Sequence, residues 1–137
     1  IISISSIEGY RGLPNIVPYG AFKLAIEGFT KSLALELGPA GIRVNAIAPE
    51  TTESESIKPS KWLSEEKKAR IPQWIPLGRF GKPSDVAGCA TFLATPLSEW
   101  VTGTTIHCDG GSLAAAGWYR TGDGTWTNTP LIEGSGF

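Results

Sequence analysis

The stretch Gly38-Pro39-Ala40-Gly41-Ile42-Arg43-Val44-Asn45-Ala46-Ile47-Ala48-Pro49 decides the fold. Gly38-Pro39 stops any helix that precedes it, because Pro lacks the amide a helix interior needs and Gly suits a left-handed terminal turn. Residues 42–48 then read as a strand, ended by Pro49. Upstream, residues 18–37 read as a helix. Pro18 suits the first helical position, and Ile26, Phe29, Leu33 and Leu37 recur close to the helical period. Glu27 and Lys31 are expected to pair, one turn apart, on its outer face. Residues 1–5, with three Ile among Ser, read as an earlier strand bounded by the Gly9–Pro14 loop. Downstream, residues 49–82 are irregular and polar, with a short charged helix expected near Ser60–Arg70. Residues 84–94 place Val86, Ala90 and Leu93 on one helix face. Residues 103–108 read as a third strand, ended by Asp109-Gly110-Gly111. The order β-α-β-loop-α-β predicts an α/β class with parallel strands joined by right-handed crossovers. In such sheets ligands bind outside the carboxyl ends of the strands. Three loops converge there: Ser5–Pro18, Pro49–Gly81 and the segment after Cys108.

Composition narrows the function classes. The chain has 137 residues, 12 Lys+Arg against 13 Asp+Glu, and a formal charge of −1. That balance gives no electrostatic reason to expect nucleic acid or an anionic membrane as a partner. With 41% hydrophobic residues the chain can build a core. It has no apolar run long enough to span a membrane. Cys89 and Cys108 do not make a disulfide framework and fit a reducing, cytoplasmic setting. His107, Cys108 and Asp109 lack metal-ligand spacing and read as core-strand residues, so no metal is expected.

The chemistry is expected at the start of the first helix. Tyr19 and Lys23 stand four apart, on one face, near the carboxyl ends of the strands. A free phenol, with a pKa of about 10, is a poor base at neutral pH. A neighbouring ammonium favours the phenolate. Such a pair can pass a proton to and from an alcohol or carbonyl oxygen. Ser6 closes the first strand, within reach of the same oxygen.

The segment Ser5-Ser6 … Tyr19-Gly20-Ala21-Phe22-Lys23 resembles the active-site motif of the short-chain dehydrogenase/reductase family, down to the Ser6-to-Tyr19 spacing. Leu35-Glu36-Leu37-Gly38 followed by Gly41–Pro49 is similar to that family's helix-to-strand passage. Pro76-Leu77-Gly78-Arg79-Phe80-Gly81 before Pro83-Ser84-Asp85-Val86-Ala87 resembles its later loop and helix. Val101-Thr102-Gly103-Thr104-Thr105 … Asp109-Gly110-Gly111 resembles its last strand. The resemblance covers residues 1–111 and implies a Rossmann-like doubly wound parallel sheet, of which three strands with flanking helices are present. It implies an oxidoreductase that interconverts a carbonyl and a secondary alcohol by hydride transfer with NAD or NADP. Tyr19 would be the general acid/base, Ser6 would orient the reacting oxygen, and Lys23 would bind the nicotinamide ribose. Pro49, Thr52 and Ser54 would lie along the nicotinamide. Homodimers or homotetramers are the expected assemblies.

The sequence departs from the family at three places. Glu50 replaces a Gly, Ser54 replaces a Thr, and Phe22 replaces a Ser, the last expected to reshape packing behind the site. No Gly-rich phosphate loop lies between a strand and a helix. The chain therefore reads as the C-terminal portion of one domain, 1–111 as core and 112–137 as an extended tail, and by itself is expected to be inactive. The alternative is a non-catalytic chain of the same fold serving as a binding or assembly subunit. Lys58–Arg70 reads as a solvated helix doubling as a lid, with Trp62 and Leu63 over the pocket. Glu8, Tyr10, Glu50 and Trp62 are the candidate substrate contacts. They would suit a small-molecule carbonyl/alcohol substrate that is hydroxylated, such as a sugar or polyol, or a 3-oxoacyl thioester. Trp118, Tyr119 and Trp126 are expected to pack at a subunit interface or to reach the pocket.

Overall fold

The computed structural model describes residues 1–128; the end of the expected tail, 129–137, lies outside them. Strands β1 (Ile2–Ile4), β2 (Asn45–Pro49) and β3 (Thr105–Cys108) form a parallel sheet in that order. Helix α1 (Val17–Leu37) joins β1 to β2. The longer return to β3 carries α2 (Pro59–Trp62), α3 (Glu65–Ala69) and α4 (Pro83–Ala94). After β3 come a single turn, α5 (Ser112–Ala115), and a hairpin of β4 (Tyr119–Arg120) and β5 (Trp126–Thr127).

Strands β2 and β3 both start later than their composition predicts. At β2, the Val44 amide donates to the Thr102 hydroxyl (3.0 Å) instead of a strand carbonyl, so the regular ladder begins at Asn45. At β3, Gly103 has φ +72, which takes the chain out of the extended region until Thr104. Asn45 stitches these entries together: its amide nitrogen donates to Val101 O (2.8 Å) and its amide oxygen accepts from Thr104 N (3.2 Å). The helix stop works one step late. Gly38–Ala40 tighten into a 3-10 turn, and the left-handed residue is Gly41, φ +72.

Residues along β3 alternate between two helices. Gly103 lies against Ala34 and Thr105 against Glu27, both of α1, while Cys108 meets Cys89 of α4. Alternate residues face opposite sides of a sheet, so α1 and α4 cover opposite faces. Residues 45–48 of β2 are accordingly buried throughout, as expected of a doubly covered parallel strand. Two connections that step the same way across a sheet over opposite faces have opposite hands. The expectation of right-handed crossovers therefore fails for one of them; the long excursion between β2 and α4 supplies the chain that this route needs.

Helix α1 keeps the expected period with a shifted phase. Its buried stripe is Glu27, Thr30 and Ala34, while Phe29 is exposed. Small side chains let the helix approach the sheet, with Ala34 in contact range of Gly103. Glu27 is thus not an outer-face partner of Lys31. It accepts a short hydrogen bond from the Thr105 hydroxyl. Burial, aided by this carboxylate, pushes the Tyr10 phenol up to about 12. Phe22 also points outward, 73% exposed, instead of packing behind the site.

The charged helix expected over Ser60–Arg70 is broken. Leu63 is extended (φ −91, ψ 136), and the Ser64 hydroxyl accepts from Lys67 N (3.4 Å) to start a fresh helix. The N-terminus of α4 is secured by Asp85, which accepts from Lys82 N (2.7 Å) and from both Arg79 terminal nitrogens (2.7 and 3.0 Å). The Arg79 hydrogen bond and the Lys82 amide hold this carboxyl down at about 2. A depressed carboxyl stabilises the fold above its unfolded value and stops doing so as pH falls through about 2. Asp85→Asn is therefore expected to lower the melting temperature at neutral pH, with the difference from the parent shrinking toward pH 2. Thermal melts across that range read this directly.

Candidate active site

The carboxyl end of β1 runs into Ser5 and Ser6, both buried. Ser5 Oγ donates to Lys23 O (2.8 Å), which anchors the first turns of α1 to the strand end. Lys23 Nζ donates to Ile4 O (3.0 Å) and sits 5.6 Å from the centroid of the Tyr19 ring. Tyr19 is 41% exposed, so its phenol is open to an incoming molecule. The structure thus brings Lys23 and Tyr19 together at the end of β1. Ser6 stands at the same strand end, with its hydroxyl accepting from Glu8 N (3.2 Å) and so capping the 3-10 turn Ile7–Gly9. Among the described residues Ser6 and Tyr19 share no hydrogen bond.

The loop after β2 is self-braced. Pro49 closes the strand beside Cys108. Thr52 Oγ1 donates to Glu50 O (2.9 Å), and a bridge ties Thr52 to Gly81. A side chain at position 81 would lie 2.7 Å from Thr52 Oγ1, so Gly81 is needed for this approach. Ser54 Oγ accepts from Ile57 N (3.0 Å), closing a turn. The hydroxyls expected along a nicotinamide are therefore engaged within their own loop.

Trp62 is corrected. It is 67% exposed and lines none of the described cavities at the strand ends. Trp74, further along the same excursion, takes that place. With Tyr10, Arg11, Ser112, Trp118 and Tyr119 it walls a cavity of about 380 Å³. The tail aromatics Trp118 and Tyr119 thus reach a pocket, while Trp126 lies in the hairpin. A second cavity, about 500 Å³, opens between α4 and the end of β3 and is lined by Glu50, Cys89, Cys108 and Asp109. Burial and the neighbouring Cys89 push the Cys108 thiol up to about 11. His107, on the other face, packs edge-on against Tyr10, with centroids 4.7 Å apart.

Arg11 gave no signal in the sequence and joins all three loops. Its guanidinium contacts Glu8 Oε1 (2.6 Å), Glu50 Oε2 (2.7 Å) and Ser112 Oγ (3.2 Å). Glu50 does not crowd outward from its loop. Its side chain is only 8% exposed, and its other oxygen accepts from Thr51 N and Thr51 Oγ1.

A parallel sheet helically covered on both faces, with Tyr, Lys and Ser gathered at one strand's carboxyl end, defines a Rossmann-like α/β protein. The family profile described as enoyl-(acyl carrier protein) reductase matches residues 1–112. The chain is 44% identical over 111 residues to the 3-oxoacyl-[acyl-carrier-protein] reductase FabG of Aquifex aeolicus, covering 81% of this chain and 44% of that protein. Among solved structures, 4-hydroxyisoleucine dehydrogenase complexed with NADH superposes with a TM-score of 0.72 at 31% identity, over 83% of this chain and 46% of the other. ElxO with NADP bound gives 0.73 at 36% identity, over the same shares. The chain belongs to the short-chain dehydrogenase/reductase family. It spans a little under half the length of the curated relatives it matches.

Among the described residues, no helix is long and apolar enough to cross a membrane.

Proposed function

We propose that the protein carrying this chain is an NAD(P)-dependent oxidoreductase that interconverts a carbonyl and a secondary alcohol. The observation that carries the reading is the placement of Lys23 Nζ against the Tyr19 ring at the carboxyl end of β1. The relatives support it: one carries the name of a 3-oxoacyl reductase, and the two structures hold NADH and NADP.

The donor set suits a nicotinamide nucleotide. Lys23 Nζ has three protons and gives one to Ile4 O, which leaves donors for ribose hydroxyls. Pro49, Thr52 and Ser54 would flank the nicotinamide, the hydroxyls turning from their loop partners to do so. The cofactor supplies the hydride when bound. The chain supplies the proton and the geometry. In reduction, the Tyr19 hydroxyl donates its proton to the carbonyl oxygen as charge builds there; in oxidation, the phenolate takes the proton from the alcohol. The Lys23 ammonium stands 5.6 Å from the centroid of the Tyr19 ring. Ser6 Oγ steadies the same oxygen once it turns from Glu8 N. Glu8, next in the loop, would contact the substrate through the cluster it forms with Arg11. Homodimers or homotetramers would be the working assemblies.

The intact protein, supplied with NADH and NADPH in turn and an acetoacetyl thioester among a panel of ketones, is expected to oxidise at least one coenzyme. No oxidation of either, across the panel, overturns the assignment. Lys23→Met is expected to weaken coenzyme binding as well as slow turnover; unchanged coenzyme affinity would remove Lys23 from the ribose site.

A further inference from the structure

The guanidinium of Arg11 stands in the wall of the aromatic cavity, with four of its five N–H donors already engaged. Nε donates to Glu8 Oε2 (3.2 Å), Nη1 to Ser112 Oγ (3.2 Å), and Nη2 to both Glu8 Oε1 (2.6 Å) and Glu50 Oε2 (2.7 Å). Glu50 is equally committed. Oε2 takes Arg11 and the Ser112 hydroxyl (3.0 Å), while Oε1 takes the Thr51 amide and hydroxyl (2.8 and 2.9 Å). Two carboxylates against one guanidinium leave this cluster one negative charge in excess. An Arg at the mouth of a pocket is ordinarily a fork for a carboxylate or phosphate. Here the fork is filled from inside the protein.

The cavity beside it draws its walls from all three strand-end loops: Tyr10 and Arg11 after β1, Trp74 from the excursion after β2, and Ser112, Trp118 and Tyr119 after β3. Cavities with aliphatic and aromatic walls and few polar groups select by shape and apolar contact.

Resting on the oxidoreductase reading, we infer that Glu50 is a specificity-determining residue: it neutralises Arg11, so the cavity accepts an uncharged carbonyl compound with an apolar or aromatic body and turns away its anionic counterpart. Glu50 also ties the loop carrying Glu8 and Arg11 to the loop after β2 and to α5, which fixes the cavity wall. An anion entering would meet two carboxylates already bound to Arg11 at 2.6 and 2.7 Å and would find only one remaining Nη1 proton. Removing the Glu50 charge leaves Arg11 with an open donor and lifts the excess negative charge.

The test is a matched pair of aryl ketones that differ in one charge, methyl 4-acetylbenzoate and 4-acetylbenzoate. Binding to the intact protein is followed by tryptophan fluorescence, to which Trp74 and Trp118 report from the cavity wall. The parent is expected to bind the ester at least about tenfold more tightly than the acid. Glu50→Gln, which keeps shape and loses charge, is expected to shift that ratio toward the acid by about tenfold. Glu50→Asp, which keeps the charge, is expected to retain the parent's preference. A parent that prefers the acid, that binds neither compound, or whose ratio Glu50→Gln leaves unchanged overturns the inference. Discrimination as expected without oxidation of NADH or NADPH would leave the binding site standing and bring down the oxidoreductase reading instead.

Discussion

Tyr19→Phe is expected to lower turnover of the intact protein by a factor on the order of 10² to 10⁴, the range that a positioned proton donor contributes. The substitution removes one oxygen from a ring that is already 41% exposed and makes no change to the helix turn beneath it. Coenzyme binding, which would fall to Lys23 and the Pro49–Ser54 loop, should therefore stay close to that of the parent. This split separates proton transfer from binding. A parallel loss of coenzyme affinity would mean that the ring is a packing element of the site. Full turnover would take Tyr19 out of the chemistry altogether. The geometry makes the result informative: Lys23 is held by Ile4 O as well as facing the ring, so it keeps its place when the hydroxyl is gone.

The second large effect is on folding. Asn45 is 1% exposed and serves two backbone groups of the segment leading into β3, Val101 O and Thr104 N. Asn45→Leu has nearly the same volume but removes the partner of Thr104 N and leaves Val101 O with Arg43 Nη1 alone (3.3 Å). One such orphan costs about 1–3 kcal/mol, which is the expected loss. That is a large share of the roughly 5–15 kcal/mol by which domains are stable. Denaturant unfolding of the intact protein measures it. A loss under about 1 kcal/mol would show that water or a backbone shift satisfies Thr104 N.

The parts of the fold legible in the sequence were those with local causes. Gly38-Pro39 and Asp109-Gly110-Gly111 mark ends because their backbone chemistry is particular to those residues. Helix α1 announces itself through its period, and Tyr19 and Lys23 become neighbours through nothing more than helical spacing. What failed had distant causes. The phase of α1 depends on how closely Ala34 can approach Gly103, and on Thr105 drawing Glu27 inward. The late start of β2 depends on a side chain, Thr102, taking a backbone amide, and that of β3 on the left-handed backbone of Gly103. Arg11 was invisible because its partners Glu50 and Ser112 are far away in the chain. Trp62 and Trp74 could not be told apart by composition. The break at Leu63–Ser64 decides which of them faces the strand ends, and Ser64 is the residue whose capping role was there to be read.

The position of β2 has a kinetic consequence. All of its sheet partners are remote in sequence, Ile2–Ile4 on one side and Thr105–Cys108 on the other. The sheet cannot start from a hairpin, and a long loop must close for each neighbour that β2 gains. Proteins whose contacts are this non-local fold slowly compared with helical bundles of equal stability. Helices α1 and α4 can flicker into existence early, but the assembly becomes productive only when the middle strand is captured from both edges. A newly made chain therefore spends its most exposed interval with the apolar run of β2 uncovered, which is when association with another chain competes with folding.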